Sequence, residues 1–400
     1  MELVLEILLW ASLAGVLLTY VGYPLLLIAA RPLARPRRIV DSEPTVSFVI
    51  SAFNEAAVIA DKLDNTLTLD YPRDRLEVAV ISDASDDGTD GIVANYADRG
   101  VALHRQSPRT GKSMGLTRFV PQLTGEFVVF SDANSMYERD AVRKLVRHFA
   151  DPSVGFAVGH QRYYADGTDA AASESLYWRY ETFLKIQESR IGSVVCGDGA
   201  IYAIRRELFE PLRADDINDL YLPLRIVARG FRGVFDAEAV CYERTAATFS
   251  GEFRRKVRII NRSLRAVLRV PQVLNPFRVG RFAWQLGIHK VLRWFVPFLL
   301  IAALLANIPL AARGQTFYQW LLGLQIAFYS LACLRPVAGI GSIKPVYLAS
   351  YFCLMNLAAF FGVLSCLFGS RIAVWQPERA EALPSQAPVN SPREQPSGVA

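Results

Sequence analysis

Glu126-Phe127-Val128-Val129-Phe130-Ser131-Asp132-Ala133-Asn134 is the stretch on which the reading of this chain turns. Apolar residues of high β propensity stop abruptly at a serine and a carboxylate, which predicts a buried strand over 126–131 ending at the rim of a sheet. An aspartate at such a rim presents a hard oxygen ligand where Mg²⁺ or Mn²⁺ can meet a diphosphate. Strand-to-turn steps at Asp are common in α/β proteins, so the neighbouring segments decide what this one means.

Working outward, short β-rich runs at 46–51, 76–82 and 101–104 precede it, separated by helical patterns at 54–67, 88–97 and 112–121. Repeated strand, helix, strand units predict an α/β, Rossmann-like domain over 44–250 with a mainly parallel sheet. Ligands of such sheets gather beyond the carboxyl ends of the strands. Three of those ends are loaded with polar residues: Phe53-Asn54-Glu55, Ser82-Asp83-Ala84-Ser85-Asp86-Asp87-Gly88-Thr89, and Ser131-Asp132-Ala133-Asn134. They point to one crevice.

The rest of the chain has a different character. Hydrophobic residues make up 52% and charged residues 20%, and mean hydropathy is +0.21, too apolar for an ordinary soluble enzyme and too charged for a chain wholly in membrane. The apolar excess lies in segments 7–30, 294–312, 317–334 and 346–368, each near the roughly 20 residues a helix needs to span a bilayer. This predicts an N-terminal anchor within 1–31 and three transmembrane helices within 291–370. Arg31, Arg35, Arg37 and Arg38, then Arg278, Arg281, Lys290 and Arg293, then Arg335 and Lys344, place their loops and the 44–250 domain in the cytoplasm of a bacterial inner membrane. The N-terminus, the 313–316 loop and the tail would then lie outside. Segment 253–268, within 251–290, interleaves basic and apolar residues at helical spacing and reads as an interfacial amphipathic helix. Residues 371–400 are poor in apolar side chains and read as disordered.

The net charge of +6 belongs largely to these membrane flanks, so nucleic acid is not an expected partner, whereas anionic lipid is. Cys196, Cys241, Cys333, Cys353 and Cys366 show no metal-ligand spacing and read as small reduced hydrophobes. Arg109-Thr110-Gly111-Lys112-Ser113 lacks the first glycine of a Walker motif, since Gln106 stands there, yet a Gly-Lys pair opening a helix still offers amides and an ammonium to phosphate.

In order, Phe53-Asn54-Glu55, Asp83 with its acidic run, Gly111-Lys112, Asp132-Ala133-Asn134, Ile217-Asn218-Asp219-Leu220 and Arg254-Arg255-Lys256-Val257-Arg258 resemble membrane-bound family 2 glycosyltransferases of the GT-A fold, relatives of cellulose, chitin and hyaluronan synthases. The resemblance covers about 44–370. It implies that Phe53, Asn54, Glu55 and Asp83 border a nucleotide pocket, that Lys112 and Arg258 face the donor diphosphate, and that Asp132 and Asn134 hold a divalent ion. Asp219 matches the family's base, with Asp215 and Asp216 left as alternatives close in sequence. Gly197 and Asp198, in Cys196-Gly197-Asp198-Gly199-Ala200, match an acceptor loop in which glycine permits close backbone approach.

Two departures stand out. Asn134 brings an amide where relatives often carry a second carboxylate, and Ile259 replaces the tryptophan on which processive synthases stack the acceptor. The expected activity is inverting transfer from a nucleotide sugar, UDP-linked by expectation, to a glycan acceptor in surface or exopolysaccharide synthesis, with other polysaccharide-synthesis proteins as candidate partners. The alternatives are single addition to a polyprenyl-linked acceptor, and a membrane transporter or receptor with a degenerate domain.

Overall fold

A computed structural model describes residues 1–36, 38–163, 169–243, 249–337, 339–340 and 343–370; the tail expected over 371–400 lies outside the described residues. Strands β1 (Val46–Ala52), β2 (Leu76–Asp83), β3 (Val101–Gln106), β4 (Phe127–Asp132), β5 (Met136–Tyr137), β6 (Val154–Tyr163), β7 (Tyr202–Arg205) and β8 (Arg232–Glu243) form one sheet in the order β3-β2-β1-β4-β7-β6-β8-β5. The first four strands are parallel, with Val46 beside Leu76 on one side and Phe127 on the other. β7 enters antiparallel between β4 and β6, and β8 returns parallel to β6. The sheet is therefore mixed but mainly parallel.

Alternate residues of the central strands feed two separate cores. Val49, Ala79, Ile81, Val128 and Phe130 join one, and Val46, Phe48, Ile50, Val78, Val80 and Val129 the other. A strand covered on both faces has no reason to alternate with polar residues, which is why β1 and β4 read as continuous apolar runs.

The helices used below are α1 (Glu2–Ala29), α2 (Ile59–Leu67), α3 (Lys112–Phe119), α4 (Asp169–Ile191), α5 (Asn218–Ala228), α6 (Phe249–Arg269), α7 (Arg281–Ala312), α8 (Thr316–Cys333) and α9 (Lys344–Leu367). The helical pattern expected from residue 54 starts only at Ile59, because Asn54 takes a left-handed φ of 54° that no helix accommodates.

Among the described residues, three helices are long and apolar enough to cross a membrane: α1, α7 and α9. α8, expected as a crossing, forms but is not one of them. Its Gln319 and Gln325 dilute its apolarity, and Gln325 accepts a hydrogen bond from Asn307 of α7 at 2.9 Å. At the far end of α1, Glu2 pairs with Arg313 at 2.7 Å and Tyr318 donates to Glu6 at 3.0 Å, so the N-terminus and the α7–α8 loop share one end. At the near end the Arg35 amide donates to the Arg190 carbonyl of α4 at 2.8 Å.

α9 departs from the expected topology. Its Tyr351 ring lies 6.1 Å from Tyr177 of α4, while just past its other end the Ser370 carbonyl accepts from Arg265 of α6 at 2.7 Å. The start of the tail therefore lies beside the α/β domain and not on its opposite side, because α9 packs along α6, with Gly362 pressed against Ile260 and the Val257 carbonyl.

Candidate active site

The donor end is built where β1 and β2 stop. Left-handed backbone at Asn54 and Ala84 bends both strand ends toward each other. The loops then interlock: the Asn54 amide donates to Ser85 Oγ at 3.0 Å, Asn54 Oδ1 accepts from the Asp86 amide at 2.9 Å, and the Glu55 amide donates to Thr89 Oγ1 at 2.8 Å. The Arg109 guanidinium covers the Phe53 ring, 3.4 Å from its centroid. Asp83 is 6% exposed. Its Oδ1 accepts from Gln106, from the Thr110 amide at 2.9 Å and from the Gly111 amide at 3.1 Å, while Oδ2 accepts from the Gly111 amide at 3.0 Å and pairs with Arg109 Nε at 3.6 Å.

Past that turn Lys112 opens α3, with its Nζ 2.5 Å from Asp132 Oδ1 at the end of β4. Asp219 enters from the start of α5. A Cβ built on Gly199 would stand 3.5 Å from Asp219 Oδ2, 3.7 Å from Asp132 Oδ2 and 3.8 Å from Lys112 Nζ. Three charged groups therefore converge over one glycine. Gly197 wraps the same loop around Asp219: its amide donates to the Asp219 carbonyl at 2.6 Å, and a Cβ there would lie 3.0 Å from that oxygen. Asp198 turns to Lys185 of α4, 3.2 Å away.

Asp219 Oδ1 is buried without a hydrogen-bond partner among the described residues. Burial pushes its carboxyl up, Lys112 opposes this, and the carboxylates of Asp198 and Asp132 add to it. A carboxylate held this way is a stronger base than one in water. Of the alternatives, Asp216 accepts from Arg269 of α6 and from the Arg213 amide at 2.7 Å, and Asp215 lies within electrostatic reach of Arg262. Both face α6 rather than Asp132.

Arg258 lies on α6. Burial, then Arg262 and Arg255, lower its guanidinium to about 10, while Asp132 and Asp219 counteract. It therefore lies within electrostatic reach of both carboxylates. Arg262, one turn on, is also lowered by burial, against the pull of Asp215, Asp216 and Asp219. Crowded guanidinium groups above a site make a receptor for an anion.

The sequence pattern of glycosyltransferase like family 2 matches residues 44–261, more than half of the chain. The chain belongs to that family. The mannosyltransferase PcManGT from Pyrobaculum calidifontis, solved in complex with GDP-Man and Mn²⁺, is 25% identical, with a TM-score of 0.71 over 90% of this chain and 99% of that one. A beta-monoglucosyldiacylglycerol synthase from Nostoc sp. is 36% identical over 32% of this chain and 28% of its own length. A poly-beta-1,6-N-acetyl-D-glucosamine synthase of Staphylococcus aureus is 22% identical over 56% of each chain. The chain thus spans about half or less of these two curated relatives. It is a glycosyltransferase with a GT-A fold, and relatives of it make both polysaccharides and glycolipids.

PcManGT was solved with Mn²⁺, and here Asp132 and Asn134 offer oxygen atoms whose chemistry fits such an ion. The Asp132 carboxylate is 40% exposed and Asn134 is exposed beside it. Among the described residues no three His, Cys, Asp or Glu side chains form a cage. Two hard oxygens with the remaining positions open suit Mg²⁺ or Mn²⁺ completed by phosphate oxygens and water.

Sequence reasoning missed Lys62, Lys185, Glu243 and Arg262. Lys62 and Lys185 carry no sequence signal, because lysines on helices usually face solvent. Glu243 had a faint signal, a carboxylate closing the apolar run Ala239-Val240-Cys241 much as Asp132 closes its own.

Proposed function

We propose that this glycosyltransferase moves a sugar, with inversion, from a nucleoside-diphosphate sugar to a glycan or lipid-linked acceptor at the cytoplasmic face of a bacterial inner membrane. The observation that carries the proposal is the convergence of Asp132, Asp219 and Lys112 above Gly199. Inverting transfer needs a base on the acceptor side of C1 and positive charge on the side of the leaving diphosphate. Asp219 is the base: its unpartnered Oδ1 takes the proton from the acceptor hydroxyl as that oxygen bonds to C1, and the C1–O bond to the diphosphate breaks. Lys112 and Arg258 take up the charge that develops on the leaving nucleotide. Mg²⁺ or Mn²⁺ on Asp132 and Asn134 would neutralise the same phosphates. Phe53, Asn54, Glu55 and Asp83 hold the base and ribose, and Gly197 and Asp198 border the acceptor.

A UDP-sugar is the donor the sequence favours, and the GDP-Man bound to PcManGT makes a guanine donor the alternative. The second reading, single addition to a lipid-linked acceptor, is favoured by Ile259, which offers no aromatic face for a retained polymer. The experiment is a panel of UDP- and GDP-sugars with Mg²⁺ and Mn²⁺, read as nucleotide release and product length. One sugar per acceptor selects the second reading. Release or transfer undiminished in Asp132→Ala and Asp219→Asn proteins would overturn the catalytic assignment and leave a transporter or receptor role.

A further inference from the structure

Lys62 of α2 has no exposed surface. Burying an ammonium costs several kcal/mol unless partners replace its water, so a lysine in this position calls for an explanation. Its hydrogen-bond acceptor, the Ser135 carbonyl, belongs to the strap that carries Asp132 and Asn134. Nζ donates to the Ser135 carbonyl and lies 4.3 Å from the centroid of the Tyr137 ring and 5.0 Å from that of Phe48. One turn further along α2, Asn65 donates to the Tyr137 carbonyl at 2.9 Å and accepts from its amide at 2.8 Å. α2 thus holds one side of residues 135–137.

The other side is held by Glu243, at the end of β8. The Ser135 hydroxyl donates to Glu243 Oε1, and Oε2 accepts from Gln161 at 2.5 Å. The Ser135 amide closes the turn by donating to the Asp132 carbonyl at 3.3 Å. Ser135, itself fully buried, is gripped by an ammonium through its carbonyl and by a carboxylate through its hydroxyl. Burial lowers Lys62 to about 7, against the pull of Cys241, Glu243 and Asp132. Burial and Asp132 raise Glu243 to about 7. The two side chains and Asp132 therefore share one electrostatic environment behind the turn.

We infer that Lys62 and Glu243 are positioning residues that clamp Ser135 from opposite sides and so fix the Asp132-Ala133-Asn134 turn for the divalent ion and the donor diphosphate. The inference rests on Asp132 and Asn134 as the ion's ligands. With a single charged ligand, the site depends on pre-set oxygen geometry more than one with two carboxylates does. α2 also follows directly on the Phe53–Val58 segment, the Glu55 carbonyl accepting from the Ile59 amide at 2.9 Å, so one short helix joins the nucleotide pocket to the metal turn.

The test is Mn²⁺ titration of the full-length protein in detergent, with free Mn²⁺ read by paramagnetic resonance in the presence and absence of UDP or GDP. Lys62→Met fills the same volume without charge, and Glu243→Gln keeps the shape of the carboxylate. Each is expected to weaken nucleotide-dependent Mn²⁺ binding by roughly 10- to 100-fold. Nucleotide affinity without metal should stay at the wild-type value, and kcat should recover in part at saturating Mn²⁺. Should either variant fail to fold, Ser135→Ala removes only the hydroxyl and carries the test, with a several-fold loss expected. Unchanged Mn²⁺ affinity in the folded variants overturns the clamp, as does an equal loss of nucleotide binding with and without metal. Wild-type protein that binds no Mn²⁺ with either nucleotide defeats the metal reading itself, and the clamp with it.

Discussion

Asp219 presents a buried carboxylate oxygen without a hydrogen-bond partner among the described residues, in a chain where the other acidic groups around the cleft are engaged: Asp132 by Lys112, Asp198 by Lys185, Asp216 by Arg269. An idle acceptor is what a proton-abstracting group requires before substrate arrives. Asp219→Asn keeps the shape and removes the basicity, so kcat should fall by about 10²- to 10⁴-fold with donor KM nearly unchanged. A matching rise in donor KM would instead make Asp219 a donor ligand. The pH profile follows from the sign of the shift. Burial raises the Asp219 carboxyl, so the ionised, active form is present above that raised value and is lost as pH falls through it. The acid limb of kcat/KM should therefore lie above the ordinary carboxylate range, and a limb within that range would argue against Asp219. At this scale the sequence was most legible where chemistry restricts residue choice, as at Asp132 and Asp219. It was least legible at Lys62, whose burial depends on a contact with Ser135, 73 positions away.

At the scale of elements, two junctions join separate parts of the fold, and each has its own test. α6 and α9 meet at Gly362, where a Cβ would come within 2.8 Å of Ile260 Cβ and 3.0 Å of the Val257 carbonyl. Gly362→Leu should cost about 1–3 kcal/mol of stability. Because Arg258 sits one position from Val257, activity should fall by more than the thermal unfolding shift predicts. The second junction joins β8 to the helical turn at Arg147 and His148. Burial pushes the Asp236 carboxyl up, but the His148 hydrogen bond, the Glu238 amide and Arg147 together bring it down to about 2. That depressed value means its stabilisation is complete above the unfolded-state carboxylate range and is lost as pH falls from about 4 toward 2. Asp236→Asn should cost about 3 kcal/mol near neutral pH, read by denaturant unfolding, and should flatten the acid branch of the stability curve. Strand positions were legible in the sequence because both faces are buried. The antiparallel entry of β7 was not, since strand direction is set by a return path through α4 that carries no local signature.

At the scale of the whole molecule, hydropathy and tertiary contacts carry separate information. Hydropathy located the apolar helices, and their partners decide how they lie. Glu2 with Arg313 and Glu6 with Tyr318 fix the N-terminus and the α7–α8 loop at one end, away from the α/β domain. In a cysteine-free background, Gln315→Cys in intact cells should therefore react with a membrane-impermeant maleimide. Labelling only after permeabilisation would reverse the proposed orientation. α1 and α7 pack directly on each other through Leu9, Ala303, Ala306 and Leu310, with Leu299 against Gly15. α9, with about 36 Å of length at 1.5 Å per residue, rests on α4 through Tyr351 and on α6 just past its last turn. The same helix also meets α7 through Phe360 and Phe298, and α8 through Phe352 and Phe328. Any side chain larger than hydrogen at Gly15 must push Leu299 aside, so the closeness of α1 and α7 is set by the smallest residue in their seam.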